Sequence, residues 1–123
     1  MSQRILIAED DHNILISIDF LLKAAGYTVL TASDGVSAWA ALEDQRPDLV
    51  VLDIMLPALD GYELCKRVRA TPALQAIKVV MLSARGREAE IEKGLQLGAD
   101  AYLRKPFGTR ELLDTIARLL AAA

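Results

Sequence analysis

The sequence predicts an α/β fold of the doubly wound kind, a parallel five-stranded sheet covered by helices on both faces. Three observations predict it. Short apolar runs alternate strictly with helical stripes, five of each. The first, third and fourth runs are apolar nearly throughout, as burial on both faces requires. Strict alternation of strand and helix also demands right-handed crossovers, and therefore parallel neighbours.

The elements follow in order. Ile5-Leu6-Ile7-Ala8 is the first strand and stops abruptly at Glu9-Asp10-Asp11. Ile14, Leu15, Ile18, Leu21, Leu22 and Ala25 then recur at helical spacing, and Gly26 ends that helix. Tyr27 to Thr31 reads as a strand, rich in aromatic and β-branched residues. Asp34 to Gln45 reads as a helix with Val36, Ala40 and Leu42 facing inward. Pro47 punctuates the chain before the apolar strand Leu49-Val50-Val51-Leu52, which ends at Asp53. Asp60 caps the next helix with Glu63 three positions on, a capping box with Asp in the Ser/Thr role. That helix fades before Thr71-Pro72, since proline disfavours a helical predecessor. Ile77 to Leu82 is the fourth strand, ending at Ser83. Glu88 to Leu97 is helical and closed by Gly98. Ala101-Tyr102-Leu103 forms a short fifth strand running to Lys105-Pro106. Thr109 caps a last helix with Leu112, Leu113, Ile116, Leu119 and Leu120 on one side. Five strands in one domain suggest the flavodoxin-like (βα)5 three-layer sandwich with strand order 2-1-3-4-5. Periodicity supports the alternation, and the particular order comes from the fold class.

The 123 residues are expected to form a single domain, 1–123, with no linker, repeat or low-complexity tract beyond a short alanine tail, Ala121-Ala122-Ala123. Hydrophobic residues at 53% and charged residues at 25% favour a packed core over disorder. No apolar run approaches the roughly 20 residues that span a bilayer. The start, Met1-Ser2-Gln3-Arg4, lacks a signal-peptide layout, so cytoplasmic residence is the default. Cys65, the only cysteine, excludes an internal disulfide and a cysteine-rich metal site, and reads as a packing residue. A net charge of −3 and a pI near 5.1 argue against broad nucleic-acid binding.

In such a sheet, sites form beyond the carboxyl ends of the strands, where the strand order reverses. Strand one ends in Glu9-Asp10, strand three in Asp53, strand four in Ser83 and strand five in Lys105. Taken singly, each is an ordinary solvated loop residue. Together they bring an acid cluster, a hydroxyl and an ammonium to one edge. Two carboxylates about 4 Å apart repel by roughly 4 kcal/mol at an effective dielectric near 20. Positive charge is therefore expected among them, from Lys105 and from a hard, oxygen-liganded divalent ion such as Mg²⁺ (or Mn²⁺). No His or Cys cluster points to zinc or copper. A carboxylate so placed suits phosphoryl chemistry, with Asp53 as nucleophile, Lys105 and the cation neutralising charge, and Ser83 donating a hydrogen bond.

At these residues the sequence resembles a known family. Leu49 to Asp53, followed by Ile54-Met55-Leu56-Pro57-Ala58-Leu59-Asp60-Gly61, is similar to the phosphorylation loop of response-regulator receiver domains. Glu9-Asp10, Ser83 and Lys105-Pro106-Phe107 match the family's other signatures in order, and the likeness runs from Arg4 to about Leu120. The resemblance implies Asp53 as phospho-acceptor, receiving its phosphoryl group from a sensor histidine kinase or histidine phosphotransfer protein. It implies Asp10 and Asp53 as metal ligands, Met55 through its backbone carbonyl, and Glu9 indirectly through metal-bound water. Lys105 would pair with the acid and then the phosphoryl group, beside a cis Lys105-Pro106 bond. Ser83 and Tyr102 match the switch pair: Ser83 moves toward the phosphate and Tyr102 turns inward. The alternative for Tyr102 is a half-buried strand aromatic whose hydroxyl reaches water. The implied signalling surface comprises the helix-four face near Ile91 to Leu97 with strand five and helix five. It would act on a downstream protein or a missing output domain. The implied protein is a switch that catalyses only its own phosphorylation and dephosphorylation, without direct nucleic-acid or membrane binding.

Some positions depart from the family's usual pattern. Ala58 stands where glycine is frequent, and Met55 and Arg85 occupy positions that tune phosphate lifetime. Ile91, Ala101 and Thr115 replace charged residues used for receiver dimerisation in the DNA-binding subclass, which leaves a monomer or another phosphorylation-dependent dimer. Three rival readings are weaker. A phosphatase of the aspartyl-phosphate type needs a second Asp where Met55 stands. A nucleotide-binding domain needs a glycine-rich phosphate loop that is absent. A phosphate-independent interaction module does not require the intact Glu9, Asp10, Asp53, Ser83 and Lys105. His12 tempts a phosphohistidine carrier, but its place at the start of helix one reads as solvent-facing. The chain is either a free-standing receiver or a piece of a longer regulator.

Overall fold

A computed structural model describes residues 3–84 and 88–122. Met1, Ser2, Ala123 and the tuning position Arg85 lie outside the described residues. Five strands, β1 (Arg4–Ala8), β2 (Thr28–Ala32), β3 (Leu49–Asp53), β4 (Lys78–Ser83) and β5 (Ala101–Arg104), form one parallel sheet in the order 2-1-3-4-5. The helices are α1 (His12–Ala24), α2 (Gly35–Gln45), α3 (Gly61–Ala70), α4 (Glu88–Gln96) and α5 (Thr109–Ala121), with a 3₁₀ turn at Pro72–Leu74. The predicted fold class and strand order are those observed.

The pleat divides the core in two. Ile5, Ile7, Leu49, Val51, Val80 and Leu82 face α1 and α5, meeting Ile18, Leu22, Leu112 and Ile116. Leu6, Val50, Leu52, Val79 and Met81 point the other way, toward Leu42 of α2 and Leu64 and Val68 of α3. Each fully buried Leu, Ile or Val contributes about 1.5–3 kcal/mol, so both helix layers are held by hydrophobic burial. The central strand β3 is buried at all five positions, Asp53 included.

Helix entry is set by aspartates. Asp11 accepts from the Asn13 and Ile14 N–H groups at 3.0 and 3.2 Å, Asp34 from Ser37 at 2.7 Å, and Asp60 from Glu63 at 2.9 Å. Each such cap is worth about 1 kcal/mol. Three expectations need correction. In α2 the inward residues are Gly35, Ala38 and Leu42, whereas Val36 and Ala40 are exposed. The Asp34 cap starts the helix with Gly35 pressed on the next loop, which rotates Val36 outward. Thr109 is the first residue of α5 and not its cap; Gly108 holds that place without a side-chain bond. Strand β2 also begins and ends one residue later than predicted. His12 opens α1 and is exposed, and Cys65 is buried, its thiol 3.5 Å from the Leu97 carbonyl oxygen.

Among the described residues, no helix is long and apolar enough to cross a membrane.

Candidate functional site

The parallel register brings the strand ends together. Asp53 ends β3 opposite Leu82, and Ser83 ends β4 opposite Arg104, which places Lys105 one residue beyond. The Lys105 N–H donates to the Ser83 carbonyl at 2.8 Å, tying the fifth connection to β4. Across the reversal in strand order, Glu9 follows β1, and its N–H donates to the Ala32 carbonyl at 3.0 Å. Ordinary sheet hydrogen bonds thus hold the backbone of four predicted site residues.

Ligand atoms of Glu9, Asp10 and Asp53 lie within 4.8 Å of one another. Glu9 is fully buried and Asp53 nearly so, while Asp10 is exposed and forms the open side. The Lys105 ammonium sits 2.6 Å from Glu9 Oε1 and 3.5 Å from Asp53 Oδ2. The second Glu9 oxygen accepts from the Asp11 N–H at 3.1 Å, and Asp53 Oδ1 accepts from the Met55 N–H at 3.2 Å.

One ammonium does not neutralise three carboxylates. Burial pushes Glu9 up from 4.5 to about 7, with the negative charge of Asp53 adding to the rise and Lys105 only partly opposing it. Burial pulls Lys105 down, but the Glu9 hydrogen bond and the charges of Asp53 and Glu9 outweigh it, and its net shift is upward. The donor set is all oxygen, two of the three acids are buried, and one is strained toward its neutral form. These residues fit a hard divalent cation.

The backbone beside Asp53 is crowded. A Cβ at Gly61 would lie 2.8 Å from both the Asp53 carbonyl oxygen and Ile54 Cα. The Gly61 N–H donates to the Ile54 carbonyl at 3.0 Å, so α3 starts directly against the loop. On the loop's far side the Gly35 N–H donates to the Pro57 carbonyl at 2.9 Å, and a Cβ there would overlap the Leu59 backbone. Ala58 takes a φ of 72°, the left-handed region that favours glycine. Met55 is exposed. The Lys105-Pro106 bond is cis, as the resemblance implied.

Ser83 is buried at the β4 end. The Tyr102 hydroxyl is buried with no hydrogen-bond partner among the described residues, so it does not reach water as the alternative for it required. Tyr102 pairs in register with Met81, two residues before Ser83. Of the three positions that replace dimer charges, Thr115 is buried, and Ile91 and Ala101 are half-buried.

Sequence reasoning missed two contacts. Tyr62 of α3 donates its hydroxyl to the Glu90 carbonyl at 3.3 Å, and Lys93 lies over its ring at 4.4 Å. Arg69 bonds the Gly98, Gln75 and Ile77 carbonyls at 2.9, 3.0 and 2.8 Å and the Asp100 carboxylate at 2.8 Å. Each reaches residues about thirty positions along the chain, Glu90 and Lys93 for Tyr62 and Gly98 and Asp100 for Arg69, which no local pattern reports.

Residues 5–117 match the family described as the response regulator receiver domain. The chain is 41% identical over 120 residues to the alkaline phosphatase synthesis transcriptional regulatory protein PhoP of Bacillus subtilis, covering 98% of this chain and 49% of that protein. It is 39% identical to the phosphate regulon transcriptional regulatory protein PhoB of Rhizobium meliloti, over 100% of this chain and 54% of the relative. The chain thus spans about half the length of these curated relatives. A solved receiver domain of a sensor histidine kinase from Pseudomonas aeruginosa PAO1 superposes with a TM-score of 0.90 at 33% identity, covering 98% of this chain and 99% of that one. That structure is described with a magnesium ion coordinated in its active-site cleft.

Proposed function

The chain belongs to the response-regulator receiver family of two-component signalling, and from that premise we propose that Asp53 accepts a phosphoryl group in a Mg²⁺-dependent reaction. The observation that carries the proposal is the buried Asp53 carboxylate, 3.5 Å from Lys105 within an acid cluster open on one side. An Asp53 carboxylate oxygen attacks the phosphorus of a phosphohistidine donor. The new O–P bond forms as the P–N bond breaks, and the electron pair leaves with the imidazole.

Asp10, Asp53 and the Met55 carbonyl would hold the metal ion, with Glu9 acting through its water. When bound, the ion supplies positive charge to the phosphoryl oxygens. Lys105 moves its charge from the acid pair to the incoming phosphoryl group, a short transfer for a side chain already poised between Glu9 and Asp53. Ser83 donates its hydroxyl proton to a phosphoryl oxygen. Movement of Ser83 opens space that the Tyr102 ring fills, so a local charge change selects one of two packings along α4, β5 and α5. The reading is of a switch and not of a turnover enzyme, acting in the cytoplasm on a partner or output domain. A single receiver unit over 1–123 accounts for the whole span.

Incubation with acetyl phosphate and Mg²⁺, followed by intact-mass measurement, tests this directly. One added phosphate, lost in Asp53→Asn and in the presence of a chelator, is the expected result. A phosphate retained by Asp53→Asn, or no adduct with either acetyl phosphate or a donor kinase, overturns it.

A further inference from the structure

We propose that Tyr62 is a positioning residue: from α3 it brackets α4 and thereby holds that helix over the half-buried Tyr102 ring, whose hydroxyl is buried. Its hydroxyl donates to the Glu90 carbonyl at 3.3 Å, and its ring face carries the Lys93 ammonium at 4.4 Å. These two grips fall on successive turns of α4, and Gly94 comes next in the chain. Gly94 is buried against the sheet, where a Cβ would lie 2.7 Å from Met81 Sδ and 3.8 Å from Tyr102 Cδ2. Where Tyr62 holds Lys93 therefore sets how closely the Gly94 backbone covers Tyr102.

The energetics require such a support. Tyr102 buries a hydroxyl without a hydrogen-bond partner among the described residues, which opposes that placement of its side chain. Packing under α4 must compensate. Helix α4 has only Gly94 fully buried, so its own hydrophobic anchorage is slight, and a bracket from α3 matters more here than on α1 or α5. Ile54, Met55, Tyr62, Ala89, Glu90 and Lys93 also line one cleft, so the bracket stands beside the loop that follows Asp53.

The bracket is a property of the chain without phosphate; its consequence for switching rests on the function proposed above. Amide hydrogen exchange across α4 tests the bracket. Tyr62→Leu is expected to speed exchange of the α4 amides about tenfold, and Tyr62→Phe or Lys93→Met about threefold each. In the Tyr62→Leu background, Lys93→Met adds nothing, because the ring it stacked on is gone. Exchange in β1 and β3 stays unchanged. Unaltered α4 exchange in Tyr62→Leu, or equal acceleration in β1 and β3, overturns the proposal.

Binding of beryllofluoride with Mg²⁺ tests the consequence. By reciprocity of coupling, Tyr62→Leu weakens it several-fold if the bracket favours inward Tyr102. Failure of the wild-type chain to bind beryllofluoride would count against the acceptor reading, while the exchange result still decides the bracket. Equal affinity in the wild type and in Tyr62→Leu, with α4 loosened, overturns the coupling.

Discussion

The sharpest quantitative test concerns the charge trapped at Glu9. The folded protein retains the Glu9 proton to about pH 7, whereas the unfolded chain releases it near 4.5. Between those values folding takes up a proton, so stability falls as pH rises across the window and levels off above it. At about 1.4 kcal/mol per pH unit, the fall attributable to Glu9 is about 3 kcal/mol. Glu9→Gln keeps the shape and removes the titration. Urea unfolding of both proteins from pH 4.5 to 8.5, without divalent metal, isolates this group, because the other titrations largely cancel in the difference. Wild type is expected to lose about 3 kcal/mol relative to Glu9→Gln, a midpoint change of about 1.5 M at an m-value near 2 kcal/mol/M. Added Mg²⁺ should restore the wild type at pH 8, by about 2.7 kcal/mol at a hundredfold excess over its Kd. A difference that stays flat, or grows in favour of the wild type as pH rises, would show Glu9 to be an ordinary ion-paired carboxylate.

Three further outcomes are expected. Ala58→Gly relieves a left-handed backbone at φ 72° and should stabilise by about 0.5–1 kcal/mol, read as a rise of a few degrees in Tm. Gly61→Ala drives a methyl to 2.8 Å from the Asp53 carbonyl oxygen and should cost about 1–3 kcal/mol in denaturant unfolding while slowing phosphate uptake more than tenfold by intact mass. Arg69→Lys cannot reproduce a fork that reaches three carbonyls and a carboxylate, and should cost about 2–4 kcal/mol in the same unfolding assay, with Asp100→Asn giving a smaller loss.

How much of the fold is legible in the sequence follows from the range of each interaction. Strands β1, β3 and β4 are buried on both faces and announced themselves as continuous apolar runs. Because the sheet is parallel, all its strands end at one edge, and the meeting of Glu9, Asp10, Asp53 and Lys105, with Ser83 at the end of β4, could be foreseen from strand ends alone. The face of α2 was misjudged because that helix is short in large apolar residues. Its burial is decided by where Gly35 meets the Leu59 loop, and Val36 is left outside. The cap of α5 was misjudged because Thr109 has the right chemistry one residue too late. Tyr62 and Arg69 were opaque for another reason. Both look like ordinary residues of a polar helix, and their distant partners lie on α4 and the connection beyond it.

The complete burial of β3 has a consequence for where this molecule can yield. Paired on both sides and covered on both faces, β3 has no route to solvent short of global unfolding, so its amides should exchange only at the full stability of the protein. Asp53 is anchored to that strand. The edge formed by β5, held on one side only and leaning on a helix with a single fully buried residue, is free to open at far lower cost. On the proposed function, a disturbance at the Asp53 end would find the centre of the sheet unable to give way and would be relieved at the rim, a direction set by stiffness graded across the sheet.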